Sequence, residues 1–426
     1  MDAGPVVEKV VLFQAPVHVP ANGTGLKTVP PPPPPVVDPP PPPPQAVRQS
    51  AEKQAIRIVN FFMRLKSPQT FASITDWAKR IVNKSREFLD IHEEFSSEPR
   101  SHGSVSKHML AAIVITSALL GNSLNRPLDF KAAAKYNADR NGVSLLVMQS
   151  GKIVFEDYPN NGSPDKPLAL ASGTKSFSGV MALLAERDGL LKLDEKCADT
   201  LTEWKADSQK SKMTIRQLLS LSGGMEGGET GRPPAYADAI QAPMKGNPGK
   251  VFSYGPNPYQ TFGEIMRRKL EPKKINPLEY LEKELFQKIG MEVGLWRKGS
   301  DGMPHLPSGA FLTAREWVKF GEFVRLGGVA GKESLLPKGA ISNLFKPAPA
   351  NKGYGMTWWL LDGIGAMAAG AGKQRLYILP EEKLVVVRQT TLRMGERAGT
   401  SWSDSAFLSA LLGKKVELKN VSLSGN

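Results

Sequence analysis

The chain is 426 residues long, 41% of them hydrophobic and 23% charged, and it carries a formal net charge of +14 at pH 7. With one cysteine and five histidines it contains neither a C-x-x-C nor an H-x-x-x-H spacing, so we expect no zinc site, no other metal and no cofactor. The basic residues are not set in a nucleic-acid motif, which indicates solvated helix faces and no nucleic-acid partner; weak attraction to an anionic cell-envelope surface is the alternative.

The first 45 residues form a proline-rich, low-complexity segment. Its two runs of six prolines, at 30–35 and 39–44, predict extended polyproline II structure rather than a packed core. A solvated spacer, a ligand for a proline-binding groove, and translation from a start codon upstream of the real one all stay open as explanations. Residues 46–108 follow as a helical or poorly ordered linker region in which the sequence shows no chemistry.

Residues 109–121 form an uncharged apolar segment. A helix needs about 20 such residues to span a bilayer, so this segment is short for an anchor. Its length, the preceding Lys107 and its small residues are typical of a signal-peptide core, although it does not begin the chain. A short anchor with a cytoplasmic tail and a buried helix are the alternatives. We expect a periplasmic, secreted or membrane-anchored protein, associated with a membrane or the cell envelope, rather than a cytoplasmic one.

Two strand pairs and a final helix are predicted in the rest of the chain. Alternating apolar residues predict strands over 143–148 and 152–156, joined as an opening hairpin. Further strands are predicted over 375–379 and 384–388, joined by a Pro-Glu-Glu-Lys turn. A terminal helix over about 405–412 would pack across them.

Ser172 and Lys175 lie one helical turn apart at the start of a predicted helix. The apolar residues of 168–189 recur at helical spacing, and Gly189 ends the pattern. A serine hydroxyl becomes a nucleophile when a base removes its proton, and a lysine can do so when burial or a neighbouring cation lowers its pKa toward neutrality. The pair therefore suits nucleophilic catalysis, while a capping serine beside an unrelated surface lysine is the alternative.

Other nucleophilic pairings have few residues available to them. After residue 125 the only histidine in the sequence is His305, whose flanking prolines indicate a loop near the surface. Cys197 is predicted to be a packed or partly exposed thiol rather than a nucleophile. Serine with lysine is the pairing that the composition leaves for nucleophilic hydrolysis.

Two further segments carry candidate site residues. Residues 250–266 have the pattern of a turn-rich loop that enters a helix near Gln260. Tyr254 in this loop can approach a lysine ammonium, which would lower the pKa of its phenol and make it a proton carrier. Glycines at the entry of the strand over 375–379 allow a main-chain N–H to approach a carbonyl oxygen, as an oxyanion hole requires. A packing tyrosine and a simple bend are the alternatives.

In this order and spacing the segments resemble the serine hydrolases related to class C β-lactamases, a family that includes penicillin-binding carboxypeptidases, esterases of β-lactamase fold and 6-aminohexanoate-dimer hydrolases. The resemblance covers about residues 125–415, taken as one domain that a tail, residues 416–426, follows. It implies an α/β fold with a central antiparallel sheet flanked by helices and an inserted helical lobe. The matching segments are Ala171–Gly179, Met213–Gly224, Phe252–Tyr254, Leu306–Trp317, Gly353–Trp359 and the third motif within Ala368–Pro380.

The resemblance also implies a role for each candidate residue. Ser172 would be the acylated nucleophile and Lys175 its general base. Tyr254 would relay the proton to the leaving group. The N–H groups of Ser172 and Lys373 would form the oxyanion hole.

Two departures from the family pattern bear on the substrate. Pro256 stands where the family usually has an asparagine two residues after the tyrosine, and Asn257 follows it as a candidate substrate-binding residue. Gly370-Ala-Gly372 replaces the usual lysine or histidine of the third motif, so Gly370 and Gly372 are further candidates for substrate binding. A cation there helps to hold the carboxylate of a β-lactam, which Lys373 would replace only in part.

We therefore expect a serine hydrolase for a small-molecule or peptide-like ester or amide, rather than an efficient β-lactamase. A catalytically weak protein of β-lactamase fold, which binds or senses peptidoglycan-like or acyl ligands, is the alternative. The sequence gives no indication of the oligomeric state.

Overall fold

The structure, a computed structural model, describes residues 127–391 and 402–419. The predicted segments 1–45, 46–108 and 109–121 lie outside these residues, so their interpretation and the location expected from them stay predictions. Among the helices within the described ranges, none is both long enough and apolar enough to cross a membrane.

A six-stranded antiparallel sheet organises the fold, in the order β2-β1-β11-β10-β9-β8. A three-stranded sheet, β3-β5-β4, and a two-stranded sheet, β6-β7, accompany it. The strands are β1 Gly142–Gln149, β2 Lys152–Asp157, β3 Leu168–Ala169, β4 Leu295–Trp296, β5 Ala310–Leu312, β6 Val329–Ala330, β7 Glu333–Ser334, β8 Trp359–Leu360, β9 Ala366–Gly370, β10 Gln374–Leu379 and β11 Leu384–Thr390.

Helices flank this sheet and also fill the long connection between β3 and β4. Every element in that connection is helical, which is the inserted lobe that the resemblance implied, so the predicted α/β class with an antiparallel sheet is confirmed. The α-helices are α1 Phe130–Ala138, α2 Lys175–Arg187, α3 Ile215–Leu219, α4 Tyr236–Ala239, α5 Asn257–Leu270, α6 Pro277–Leu281, α7 Ala314–Arg325 and α8 Asp404–Leu412.

Both predicted hairpins are confirmed. β1 and β2 pair across Ser150 and Gly151, whose φ angles of 51° and 82° suit a tight two-residue turn. β10 pairs with β11 from Arg375 opposite Arg388 to Leu379 opposite Leu384. The predicted terminal helix is also present, as α8.

The two faces of the sheet have different covers. A Cβ added at Gly321 of α7 would lie 2.4 Å from Val385 Cγ1 and 2.8 Å from Leu376 Cδ1, so α7 packs directly on this face. Buried aromatic and aliphatic side chains of α7 contribute about 1.5–3 kcal/mol each to the stability of this layer. Successive strand residues point to opposite faces, so Arg375 faces away from α7. Its side chain meets Asp404 at the start of α8.

The end of the domain continues past the predicted boundary at residue 415. Val416 is 9% exposed, and its N–H donates to Ser409 Oγ over 2.8 Å. Leu418 N–H donates to Ser405 Oγ over 3.1 Å. The first residues of the predicted tail therefore pack on α8.

Candidate active site

Ser172 lies in a short 3-10 turn, Ala171–Thr174, and α2 begins directly after it at Lys175. The prediction started the α-helix at Ser172; the backbone instead makes a tighter turn there, with Ala171 at a φ of 47°. A Cβ added at Gly173 would lie 2.9 Å from Trp317 Cζ2, so glycine allows the turn to pack on α7. Non-glycine residues in the left-handed region store strain, which is common at functional sites. We call residues 171–174 the nucleophile turn.

Lys175 is buried directly beside the serine. Its Nζ lies 3.1 Å from Ser172 Oγ and donates to the Pro307 carbonyl oxygen over 3.2 Å. The same Nζ lies 5.0 Å from the ring centroid of Tyr254 and 5.3 Å from that of Tyr259. Burial lowers the pKa of Lys175 to about 7, because the charged ammonium loses its hydration. Near neutral pH a large fraction of this amine is therefore free to accept a proton.

Tyr254 reaches the same hydroxyl from another loop. Its ring centroid lies 5.0 Å from Lys175 Nζ, and the ring packs 5.8 Å from that of Trp359. The expected lowering of its pKa is wrong: burial raises the pKa of Tyr254, although the Ser172 hydroxyl and the charge of Arg375 oppose the rise. Lys175 Nζ lies near the ring, but it is only partly charged near pH 7 and does not offset the effect of burial. Tyr254 is therefore protonated at neutral pH.

The helix after this loop begins at Asn257, three residues before the predicted start near Gln260. Pro258 lies in its first turn, where the missing N–H of proline costs no helical hydrogen bond. The side-chain amide of Asn257 donates to the Glu226 carbonyl oxygen over 3.1 Å, and its main-chain N–H donates to the carbonyl oxygen of Gly227 over 2.8 Å. These bonds hold residues 226 and 227 against the start of α5. A part for Asn257 in substrate binding stays a prediction.

The third motif forms a turn between two strands rather than the entry of one. Gly370 ends β9, and residues 371–373 make the turn into β10. A Cβ added at Gly370 would lie 2.1 Å from the Leu170 carbonyl oxygen and 3.1 Å from Gly173 N, so this residue lies directly against the nucleophile turn. Gly372 and Lys373 have φ angles of 70° and 61°. We call residues 370–373 the third-motif turn.

Comparison with known proteins assigns this arrangement to a family. The family model described as Beta-lactamase matches residues 130–408. The chain belongs to the beta-lactamase family.

Individual relatives of this beta-lactamase family member are distant. Protein flp of Staphylococcus aureus (strain COL) is 26% identical over 146 residues, a match that covers 30% of this chain and 29% of flp, so the chain spans less than a third of that relative. A Bacillus anthracis structure, provisionally named a 6-aminohexanoate-dimer hydrolase, superposes with a TM-score of 0.55 at 20% identity, covering 64% of this chain and 78% of its own. A penicillin-binding protein homologue from Caulobacter crescentus superposes with a TM-score of 0.54 at 15% identity. That match covers 67% of this chain and 97% of the homologue. These two similarities establish the fold.

His305 and Cys197, the other residues considered for nucleophilic chemistry, are half-buried and fully buried in this beta-lactamase fold. Burial lowers the pKa of His305, whose carbonyl oxygen accepts from Trp296 Nε1. Cys197 is fully buried, and burial raises the pKa of its thiol. Within the described ranges, no three His, Cys, Asp or Glu side chains are grouped so that they could hold a metal ion.

Sequence reasoning missed a buried polar cluster behind the third-motif turn of this beta-lactamase domain. Arg375 and Arg388, each 1% exposed, face α8 from β10 and β11. Arg375 forms two bonds to Asp404, of 2.8 Å and 3.3 Å. Burial lowers the pKa of Arg388 to about 10, which leaves it charged at neutral pH. The available signal was an arginine in each of two mostly apolar strands, since buried arginines need partners.

Proposed function

We propose that the chain is a serine hydrolase that forms an acyl-enzyme on Ser172. The observation that carries the proposal is the distance of 3.1 Å between Ser172 Oγ and Lys175 Nζ. The lysine beside the hydroxyl is 4% exposed, and burial brings its pKa to about 7. A base whose pKa lies near the working pH combines a useful neutral fraction with a useful basicity.

Acylation would begin when neutral Lys175 takes the proton of Ser172 as its Oγ attacks the substrate carbonyl carbon. The carbonyl oxygen would then carry negative charge, and the N–H groups of Ser172 and Lys373 are the proposed donors to it. Tyr254, protonated and close to Ser172, would give its proton to the departing alcohol or amine. Lys175 would return its proton to the phenolate, which restores both groups.

Deacylation would run through the same residues with water as the nucleophile. A water entering beside Tyr254 and Lys175 would lose a proton to this pair as it attacks the ester carbonyl of the acyl-enzyme. The oxyanion donors would serve again, and Ser172 Oγ would leave with the proton held by Lys175. The carboxylic acid product would then dissociate.

The third-motif turn supports an ester or amide substrate over a β-lactam. Glycine at 370 and 372 provides no side-chain cation for the carboxylate of a β-lactam, and the Lys373 main chain is in the left-handed region. Burial lowers the pKa of the Lys373 amine, with nearby Arg375 adding to the effect. Turnover of p-nitrophenyl acetate or butyrate should therefore exceed turnover of nitrocefin, measured as kcat/KM.

The test is covalent labelling followed by activity. A fluorophosphonate probe should attach to Ser172 alone, located by mass spectrometry, and Ser172→Ala should abolish both labelling and ester hydrolysis. Ser178→Ala is the matched control, because Ser178 lies on α2 and its buried hydroxyl has no hydrogen-bond partner in the described part of the chain. An adduct on Ser176, Ser178 or Ser253 would refute the assignment.

The alternative function, a binding or sensor protein of the same fold, predicts a different result. Such a protein would bind acyl or peptidoglycan-like ligands without turnover of p-nitrophenyl esters, nitrocefin or linear amide dimers. A wild-type chain that neither reacts with the probe nor hydrolyses any of these substrates would favour it.

A further inference from the structure

The carbonyl oxygens of the third-motif turn are held by side chains from β10 and β11. Gly372 O accepts from Arg388 Nη1 over 3.1 Å and from Thr390 Oγ1 over 2.7 Å. Lys373 O accepts from Arg388 Nη1 over 2.9 Å, and Gly370 O accepts from Arg375 Nη1 over 3.3 Å. Three of the four carbonyl oxygens of the third-motif turn therefore accept hydrogen bonds from buried side chains.

These donors lie on the sheet face opposite α7. Arg375 and Arg388 are partners in the β10–β11 register, so both side chains project from the same face, where Asp404 binds Arg375 and Asn137 binds Arg388. The nucleophile turn lies on the other side, since Gly173 packs on Trp317 of α7. The carbonyls of the third-motif turn are thus drawn away from Ser172.

A trans peptide places its C=O and its N–H on opposite sides, and the described peptides are all trans. Holding the Gly372 carbonyl toward Arg388 and Thr390 therefore directs the Lys373 N–H toward the face of the nucleophile turn. Holding the Gly370 carbonyl toward Arg375 does the same for the Ala371 N–H. Both N–H groups would then be held in a fixed direction, on the side of the turn that faces the nucleophile turn.

We propose that Arg375, Arg388 and Thr390 are positioning residues that orient the main-chain N–H groups of the third-motif turn as oxyanion donors. This inference rests on the proposed acyl-enzyme function. It adds residues that touch neither the substrate nor Ser172 and act through the peptide planes of 370–373.

The cluster is built to hold this orientation. Asp404 also accepts from Tyr377 Oη and Trp402 Nε1, so the carboxylate that fixes Arg375 is itself fixed from three directions. The Arg388 guanidinium lies 4.2 Å from the ring centroid of Trp402. A buried guanidinium with several bonds has little freedom to let the peptide planes rotate. Preorganised donors avoid reorganisation when charge develops on the substrate.

The experiment compares Thr390→Val with Arg388→Lys on p-nitrophenyl acetate. Thr390→Val removes one bond to Gly372 O and should lower kcat/KM roughly fivefold, the effect of one ordinary hydrogen bond. Arg388→Lys keeps a charge but loses the planar guanidinium, whose Nη1 bonds both turn carbonyls while its Nε bonds Asn137 Oδ1, and it should lower kcat about 10–100-fold with KM nearly unchanged. Thr390→Ser retains a hydroxyl and should recover most of the loss.

A second readout separates orientation from general damage. Phenylboronic acid adds Ser172 Oγ to boron and mimics the tetrahedral oxyanion, so its inhibition constant should rise by the same factor as kcat/KM falls. Arg325→Lys is the matched control, because Arg325 is 11% exposed and pairs with Glu322 on α7, away from the turn. Arg325→Lys should leave kcat/KM and the inhibition constant of phenylboronic acid at wild-type level.

The outcomes are distinct. Thr390→Val and Arg388→Lys with wild-type kcat/KM and boronate inhibition would overturn the inference, as would a loss confined to KM. If Arg388→Lys fails to fold, the Thr390 pair decides alone. A wild-type chain without labelling of Ser172 or ester turnover would instead overturn the proposed function.

Discussion

Lys175 and Arg375 are both buried cationic residues, 4% and 1% exposed, yet the structure treats their charges in opposite ways. Lys175 contacts a hydroxyl, a carbonyl oxygen and two aromatic rings, and burial lowers its pKa to about 7. Burial also opposes the charge of Arg375, but Asp404 and Tyr377 outweigh it and raise the pKa of the guanidinium. Arg375 has a carboxylate partner and stays charged, whereas Lys175 has none among the causes of its pKa shift and can release its proton.

This difference assigns different work to two parts of the same small site. In the proposed mechanism the nucleophile turn needs a group that changes its protonation state during every turnover. The proposed role of the third-motif turn instead needs arginines that stay charged and stationary, so that the main-chain N–H groups keep their direction. Burial by itself lowers the pKa of both Lys175 and Arg375, and the neighbouring groups decide whether the side chain stays charged.

The largest expected effect comes from making Lys175 as permanently charged as Arg375. Lys175→Arg supplies a guanidinium that does not release its proton, so acylation should fall about 10⁴-fold, close to the loss in Ser172→Ala, because residues that act as a unit are not additive. Single-turnover hydrolysis of p-nitrophenyl acetate measures it. Lys210→Arg is the matched control, since Lys210 is 8% exposed and donates to the Ile240 carbonyl oxygen in the helical lobe. Retention of even a tenth of the activity by Lys175→Arg would contradict the role of Lys175 as base.

The next effect separates Tyr254 from Lys175. Tyr254→Phe removes the proton donor for a poor leaving group, so hydrolysis of a linear amide should fall about 10²–10⁴-fold. A p-nitrophenyl ester, whose leaving group departs unaided, should lose far less, whereas Lys175→Met should damage both substrates alike. Tyr280→Phe, a buried tyrosine bonded to Asp188, controls for loss of a phenol. Equal losses on ester and amide would mean that Tyr254 helps to deprotonate Ser172.

The third effect is on stability and tests the anchor. Asp404→Asn leaves the charge of Arg375 buried without its carboxylate, which should cost about 3–5 kcal/mol in the free energy of unfolding. Burial raises the pKa of Asp404. The charge of Arg375 and the hydrogen bonds to the carboxylate lower it by more, so its pKa lies below the usual value. The stabilisation should therefore be complete above about pH 4 and decline as the pH falls further.

Urea denaturation of wild type and Asp404→Asn at several pH values measures this effect. Asp194→Asn is the control, because Asp194 is 72% exposed in its pair with Arg216 and should contribute about 0–1 kcal/mol. Similar losses in the two variants would show that the buried pair is no more important than a surface one.

The smallest effect is a pH dependence. The neutral amine of Lys175 is the proposed base, so kcat/KM for p-nitrophenyl acetate should rise about tenfold per pH unit below pH 7 and level off above it. In Lys175→Met this inflection should disappear. A wild-type inflection near pH 10 would mean that Lys175 keeps the pKa of an exposed lysine.

The sequence predicted those parts of the site that depend on local spacing. Ser172 and Lys175 are three residues apart, a separation that a helical turn converts into contact, and the structure places their reactive atoms 3.1 Å apart. The β10–β11 hairpin likewise depends on neighbouring residues and a turn between them.

Interactions between distant residues could not be predicted in the same way. Arg375 meets Asp404 across 29 positions of sequence, and Arg388 meets Asn137 across 251. The direction of the Tyr254 pKa also depended on enclosure by the fold, which no motif expresses. The third-motif turn was expected at the entry of a strand. Glycine permits several backbone conformations, so the sequence alone does not decide among them, and tertiary packing selects a turn between β9 and β10.

Gly370 leaves room for a hydrogen atom where any side chain would begin 2.1 Å from the Leu170 carbonyl oxygen. The restriction comes from the neighbouring backbone and is therefore independent of the substrate. A variant library designed to broaden the substrate range should keep glycine at 370 and place its diversity elsewhere around the site. Evolution of new specificities in this chain is bounded by the same contact, so adaptation would proceed through the loops that surround the turn while position 370 stays unaltered.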